Sequence, residues 1–160
     1  MGLDEFLNKL PEDDDAAIDY AALPELSGLT APEAEEFGQL WLEWTSERVL
    51  DIVDRMVALN EEQPDVEFET IFKQGIVHPS SGVRVSSLKG LEESDDRTLV
   101  RPLCEMLKSD PASEVRAAAA IPLAYLSAMA QMGKLSKRYE EALIDVLYGV
   151  LDDEREVTDV

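Results

Sequence analysis

Few residues in this sequence could act as a nucleophile, a general base or a metal ligand. His78 is the only histidine and Cys104 the only cysteine, so one chain cannot build a site from paired histidines. His78 precedes Pro79, which is typical of a turn or a helix cap rather than of a general base. Cys104 falls on an apolar helical position, so we expect a buried structural thiol rather than a nucleophile.

Carboxylates are numerous, but their spacing indicates no specific site. The acidic runs 13–15 and 95–96 could bind a hard cation, yet a calcium loop needs spaced aspartates followed by glycine. Helix capping or a solvated surface is the favoured interpretation of both runs. The sequence also lacks G-x-G-x-x-G, G-x-x-x-x-G-K-[ST] and G-x-S-x-G. We therefore predict no catalytic, metal-binding or cofactor-binding residue and expect that the chain is not an enzyme.

Two tryptophans are the remaining candidates for a binding residue. Trp41 and Trp44 are spaced to share one face of a helix. That spacing is typical of packing in the core or against the N-terminal segment, and the same pair could instead form an exposed hot spot for a partner. Both interpretations stay open at the level of sequence.

Net charge limits the class of partner. The chain has 35 acidic residues against 14 basic ones, a net charge of −21, and residues 1–40 hold eleven acids and one lysine. Nucleic acids and anionic membranes are disfavoured because both require a cationic surface. A basic protein partner is compatible with this charge, although acidic surfaces also serve solubility.

The same sequence predicts a soluble protein of the cytoplasm. No apolar run approaches the roughly 20 residues of a membrane span, and the first residues lack the basic and apolar regions of a secretory signal. A single cysteine excludes an internal disulfide and fits a reducing compartment.

Helical periodicity recurs along the whole chain and predicts an all-α fold of about seven to eight helices. Residues 1–29 are expected to form an acidic strap that contains one short amphipathic helix. Thr30 and Glu33 fit a capping box that opens the helical domain 30–160. The apolar face of the strap helix comprises Leu3, Phe6, Leu7 and Leu10. Thr45 or Ser46 is expected to cap the second helix of the domain, and Asp65 the third.

An internal repeat follows. Residues 78–91 align without gaps on residues 110–123, at an offset of 32 residues. The spacing predicts a helix, a short turn and a second helix in each copy. Pro79 and Pro111 are expected at the first position of the second helix, and Pro122 is expected to interrupt that helix.

A third copy of the repeat is predicted to begin with a helix over residues 136–151, after an insertion around residues 129–138. Its apolar stripe would comprise Leu143, Ile144, Leu147, Val150 and Leu151. Its second helix should begin near Asp153, and the sequence stops at Val160, where the valine of a Val-Arg pair belongs. We therefore expect a truncated last repeat whose open edge can support self-association.

The segment from Asp110-Pro111 through Val115-Arg116 to the alanines at 117–120 resembles the core of a HEAT repeat. The lead-in residues 23–26 and Leu29 resemble those of bacterial HEAT-repeat proteins of unknown function. This resemblance implies a right-handed α-solenoid of stacked antiparallel helix pairs. It also implies a ladder in which the arginine of one unit reaches the turn aspartate of the next.

In that ladder, Arg84 would pair with Asp110, and Arg116 with Asp152 or Asp153. The function that the resemblance implies is a protein–protein interaction scaffold, here one that binds a basic partner. The alternative is a phycobilin-lyase-type enzyme or chromophore-binding protein, because those lyases share HEAT-like repeats. A HEAT-like DNA glycosylase is disfavoured by the charge of −21.

Overall fold

A computed structural model describes residues 2–13, 16–133, 137, 141, 144–146 and 148–149 of the chain. All regular secondary structure in these residues is helical and none of it is strand, which confirms the all-α prediction. The chain divides into two compact units, Met1–Leu91 and Glu92–Val160. Along the described residues, every helix is too short or too polar to span a lipid bilayer.

The first unit contains five α-helices and two 3-10 segments among its described residues. In chain order these are α1 (Gly2–Lys9), a 3-10 segment (Tyr20–Leu26), α2 (Ala31–Leu40), a 3-10 segment (Trp41–Glu43), α3 (Ser46–Glu62), α4 (Glu69–Gly75) and α5 (Ser81–Gly90). Helix α2 packs on α4, α3 packs on α5, and α4 packs on α5. In the pairs α2–α3 and α4–α5, the first helices therefore contact each other, and so do the second helices.

Helix starts in the first unit follow the predicted capping residues at two of three places. The amide of Thr30 donates to Glu33 Oε2 at 2.9 Å, which completes the capping box of α2. Thr45 caps α3, since its hydroxyl oxygen accepts from the amide of Arg48 at 3.3 Å. Hydrogen bonds from the Thr30 hydroxyl and from its amide lower the pKa of the Glu33 carboxyl. Local sequence was sufficient here because both caps use residues only three positions away.

The prediction that Asp65 caps the next helix is wrong, because α4 begins at Glu69 with Phe68 as its N-cap. The residues between them are held by the strap instead. Gly28 donates its amide to the carbonyl of Glu67 at 2.8 Å, and the Ser27 hydroxyl accepts from the amide of Glu67 at 2.9 Å. These contacts link segments that lie far apart in sequence, so local capping rules cannot foresee them.

The N-terminal strap packs into the core of the first unit. Leu3 and Phe6 of α1 are buried, and the Phe6 ring meets Phe37 of α2 edge to face with a centroid distance of 6.0 Å. Beyond its short predicted helix, the strap also contains the 3-10 segment Tyr20–Leu26, which Asp19 caps. The strap is therefore joined to the helices by buried apolar contacts as well as by hydrogen bonds.

The described part of the second unit contains a 3-10 segment (Arg97–Leu99), α6 (Val100–Ser109) and α7 (Ser113–Gln131), and α6 packs on α7. The expectation that Pro122 interrupts α7 is wrong, because the helix continues through this buried proline to Gln131. Leu123, Leu126 and Ala130 beyond it are buried as well, so tertiary packing holds the helix together past the missing amide.

Beyond α7 the description is partial. Gly133 has a φ of 72° and ends α7 by donating its amide to the carbonyl of Ala130 at 2.9 Å. Residues 144–146 and 148–149 are helical, within the helix predicted over 136–151, and Val146 is buried. Ile144, which was expected on the apolar stripe, is 45% exposed. Leu143, Leu147, Val150, Leu151, Asp152, Asp153 and Val160 lie outside the described residues, and so does the predicted open edge.

Candidate functional site

The repeated turns are built in the same way in both units. His78 Nδ1 accepts from the amide of Ser80 at 3.1 Å, and Asp110 Oδ1 accepts from the amide of Ala112 at 3.0 Å. Each acceptor lies two residues before its donor, so a histidine and an aspartate perform the same task at equivalent positions. His78 is thus a turn residue, as predicted.

The two prolines of these turns do not occupy the predicted first helical position. Helix α5 begins after the N-cap Ser80 and α7 after the N-cap Ala112, so each proline precedes the cap residue. Each proline lies two residues before the first residue of its helix. At this position the fixed φ of proline orders the turn instead of the helix.

The arginines of the predicted ladder bind the turns of their own units. Arg84 Nη1 donates to the carbonyls of His78 and Pro79, both at 2.8 Å, and Arg116 Nη1 donates to the carbonyl of Asp110 at 2.8 Å. In each copy these charge-assisted bonds join residues six positions apart and so close the turn. The ladder pair Arg84–Asp110 would join residues of different units and stays a prediction.

Burial removes both the candidate general base, His78, and the candidate nucleophile, Cys104, from solvent. His78 is 5% exposed and meets the Trp41 ring edge to face at 5.8 Å. Its pKa is lowered by this burial and, to a smaller degree, by the charge of Arg84. Cys104 is buried as predicted, and burial raises the pKa of its thiol. Both groups therefore favour their neutral forms.

The two tryptophans have different environments. Trp41 is 1% exposed and packs against Phe37 with a centroid distance of 5.1 Å, so the packing interpretation holds for it. Trp44 is half-buried, with its ring 5.8 Å from that of Phe37. The guanidinium carbon of Arg48 lies 5.4 Å from the centre of the Trp44 ring. Of the pair, Trp44 is the one that can offer a face to a partner, and that role stays a prediction.

A cleft of about 430 Å³ lies between the strap and the start of α3, and we name it the strap groove. Ala16, Ala17 and Ile18 form an apolar wall on the strap side. On the helix side it is lined by Thr45, Glu47, Arg48 and Asp51. Tyr20 completes the lining, and its hydroxyl donates to the carboxylate of Asp51, which joins the two walls.

Two side chains hold the strap groove in place. Arg48 is 6% exposed and its Nη2 donates to the carbonyl of Pro11 at 2.9 Å. This hydrogen bond links the first turn of α3 to the strap. The hydrogen bond to Asp51, together with burial, raises the pKa of Tyr20 to about 12. Tyr20 consequently remains protonated at neutral pH and continues to donate.

A row of exposed carboxylates continues from the strap groove along α3. Glu47, Asp51 and Asp54 occupy positions i, i+4 and i+7 and are exposed on one face of the helix. We call these three residues the α3 acidic row. Asp54 Oδ1 also accepts from the Ser86 hydroxyl of α5 at 2.5 Å, which orients its carboxylate. Such a row can accept hydrogen bonds from the ammonium or guanidinium groups of a partner.

Sequence reasoning named Thr45 as a helix cap but singled out none of the groove's lining residues as part of a binding site. Arg48 carried a signal, because it is a basic residue beside Val49 and Ile52 on the apolar stripe of α3. The acidic row could also have been found from its helical spacing. The contact of Tyr20 with Asp51 spans 31 residues and leaves no pattern in the sequence.

No protein-family model, curated protein or solved structure matches this chain. The geometry of the described residues must therefore carry any proposal about function. Among those residues, no three His, Cys, Asp or Glu side chains gather closely enough to hold a metal ion.

Proposed function

We propose that the chain is a protein–protein interaction scaffold of the HEAT-repeat type that binds a basic segment of a partner protein in the cytoplasm and performs no catalysis. The observation that carries this proposal is the α3 acidic row beside the strap groove. Three exposed carboxylates follow one helix face there, next to a half-buried tryptophan. Tryptophan is enriched among the hot spots of protein interfaces, and complementary charge speeds association and selects the partner.

The repeat architecture supports the same proposal. In the first unit, first helices pack on first helices and second helices on second helices. Helix pairs of a right-handed α-solenoid stack in this way and share one continuous core. The matching turns at an offset of 32 residues are the second line of support, since they use equivalent hydrogen bonds. Stacked pairs present long surfaces that suit extended partner segments.

Binding of a labelled lysine-rich peptide to the full chain tests the proposal. We expect saturable binding that weakens by about tenfold or more between about 50 mM and 200 mM salt, because exposed charges are screened over the ~8 Å Debye length of physiological salt. A glutamate-rich peptide of equal length is the control and should not bind. Absence of binding, or affinity that ignores salt, would contradict the proposal.

The chromophore-binding alternative is tested on the protein purified from its native cells. Visible absorbance that remains with the protein through gel filtration would favour that alternative. An absorbance spectrum limited to the aromatic residues would leave the scaffold as the better account.

A further inference from the structure

We infer that the strap groove is the docking site for an amphipathic basic segment of a partner protein, with apolar side chains against the strap and lysine or arginine side chains towards Glu47 and Asp51. This inference rests on the proposed scaffold function and adds the location of the site and the character of its occupant.

The unlike walls of the groove determine that character. Ala17 and Ile18 present apolar atoms on the strap side, whereas Glu47 and Asp51 present carboxylates on the helix side. A uniformly polar segment would leave the apolar wall hydrated, and a uniformly apolar one would desolvate the carboxylates without compensation. A segment with both kinds of side chain satisfies both walls.

The open charge in the groove is negative. Among the described residues that line the groove, the basic one is Arg48, which is 6% exposed and is directed to the Pro11 carbonyl and the Trp44 ring. The positive end of the α3 dipole is also near, but Thr45 caps the first turn and Glu47 lies within it. A cation is therefore favoured over an anion at the helix wall.

The groove is formed before any partner arrives. Tyr20 donates a hydrogen bond to Asp51, and Arg48 donates one to the carbonyl of Pro11. Both walls are therefore linked by hydrogen bonds in the isolated chain. A preformed site lowers the ordering cost of association. The Arg48 guanidinium carbon lies 5.4 Å from the centre of the Trp44 ring, so Trp44 is adjacent to a residue that lines the groove.

Charge-change variants of the full chain test the inference with an amphipathic lysine–leucine peptide as the probe. Ala17→Lys places a cation on the strap wall, and Glu47→Lys reverses a charge on the helix wall. The matched controls are Ala117→Lys and Glu105→Lys, which introduce the same charges at exposed positions of α7 and α6. We expect each groove variant to weaken binding by about tenfold or more, and each control by about twofold or less.

The outcomes separate this inference from the proposed function. If the unaltered chain does not bind the probe, both fail. If it binds with strong salt dependence but the groove and control variants weaken binding equally, the scaffold proposal stands and the groove is not the site. An oligolysine of equal charge that binds as tightly as the amphipathic peptide would overturn the amphipathic occupant. All four substituted residues are exposed, and far-UV circular dichroism checks that each variant folds.

Discussion

The helix pairs α4–α5 and α6–α7 have equivalent turns, but they differ in the residues found where α4 crosses α5. Gly75 and Ser87 of the first pair correspond to Leu107 and Ala119 of the second, at the offset of 32 residues. A Cβ on Gly75 would lie 1.8 Å from the Ser87 hydroxyl oxygen, so the α4 backbone directly meets α5 there. At the aligned positions the second pair has Leu107 and Ala119, which are both buried.

The comparison shows that two kinds of interaction define the repeat. The turn depends on an acceptor side chain and an arginine that bind backbone atoms, and it tolerates histidine in place of aspartate. The contact between the two helices of a pair depends on matched side-chain sizes, and different residues can provide it in each pair. A sequence pattern records the first kind well and the second kind poorly.

Breaking the close crossing should have the largest effect. Gly75→Ala is expected to reduce the free energy of unfolding by about 3 kcal/mol, because the added methyl group overlaps Ser87. Gly82→Ala is the control on α5, where the nearest atom would be 3.4 Å away and the better helix propensity should add up to about 1 kcal/mol. Urea unfolding that shows Gly75→Ala to be as stable as the control would contradict this account of the crossing.

Removing the arginine of a turn should rank next. Arg84→Ala and Arg116→Ala are each expected to cost about 2 kcal/mol, because the carbonyls of the turn lose charge-assisted donors. Arg101→Ala, an exposed change on α6, should alter stability by less than about 0.5 kcal/mol. Losses no larger than this control would show that the arginines do not hold the turns.

The hydroxyl of Ser87 should be dispensable. It is fully buried and has no hydrogen-bond partner among the residues that the structure describes, and the equivalent residue of the second pair is Ala119. Ser87→Ala is expected to raise stability by about 1 kcal/mol, since no unsatisfied hydroxyl remains. Ser113→Ala, at an exposed position of α7, is a control that should change stability little. A clear loss at Ser87 in thermal unfolding would mean that its hydroxyl is needed at the crossing.

The smallest expected effect is a pH dependence of stability that His78 gives to the first turn. The pKa of His78 is lowered in the folded chain, so the unfolded chain binds a proton first as the pH falls below about 6.5. Stability contributed by neutral His78 should therefore be full at about pH 7.5 and reduced near about pH 5.5. His78→Asn keeps an acceptor but cannot titrate, and its urea midpoint should fall less over this range. Identical pH profiles for both proteins would exclude a role for His78 ionisation.

Local sequence was enough for the features that depend on near neighbours. The capping box at Thr30, the cap at Thr45 and the amphipathic helix α1 all follow from residues within one or two helical turns. The repeat at an offset of 32 residues likewise predicted two equivalent turns. The start of α4 and the continuation of α7 through Pro122 were missed, because the strap and tertiary packing decide them.

The candidate site was less predictable for the same physical reason. Trp41 and Trp44 could be singled out by type and spacing, but sequence could not tell that one is buried and the other half-buried. The groove brings residues of the strap next to α3, and its key contact joins Tyr20 to Asp51. Only the folded chain places them together.

The most direct test of the central claim is to map the bound peptide by NMR. The ¹⁵N-labelled full chain would be titrated with the amphipathic lysine–leucine peptide at low and at physiological salt. The account predicts that the largest amide shift changes fall within residues 16–20 and 45–51, the two segments that contribute the lining of the strap groove, and that they shrink as salt rises. Shift changes concentrated on α7, or no changes at either salt concentration, would contradict it.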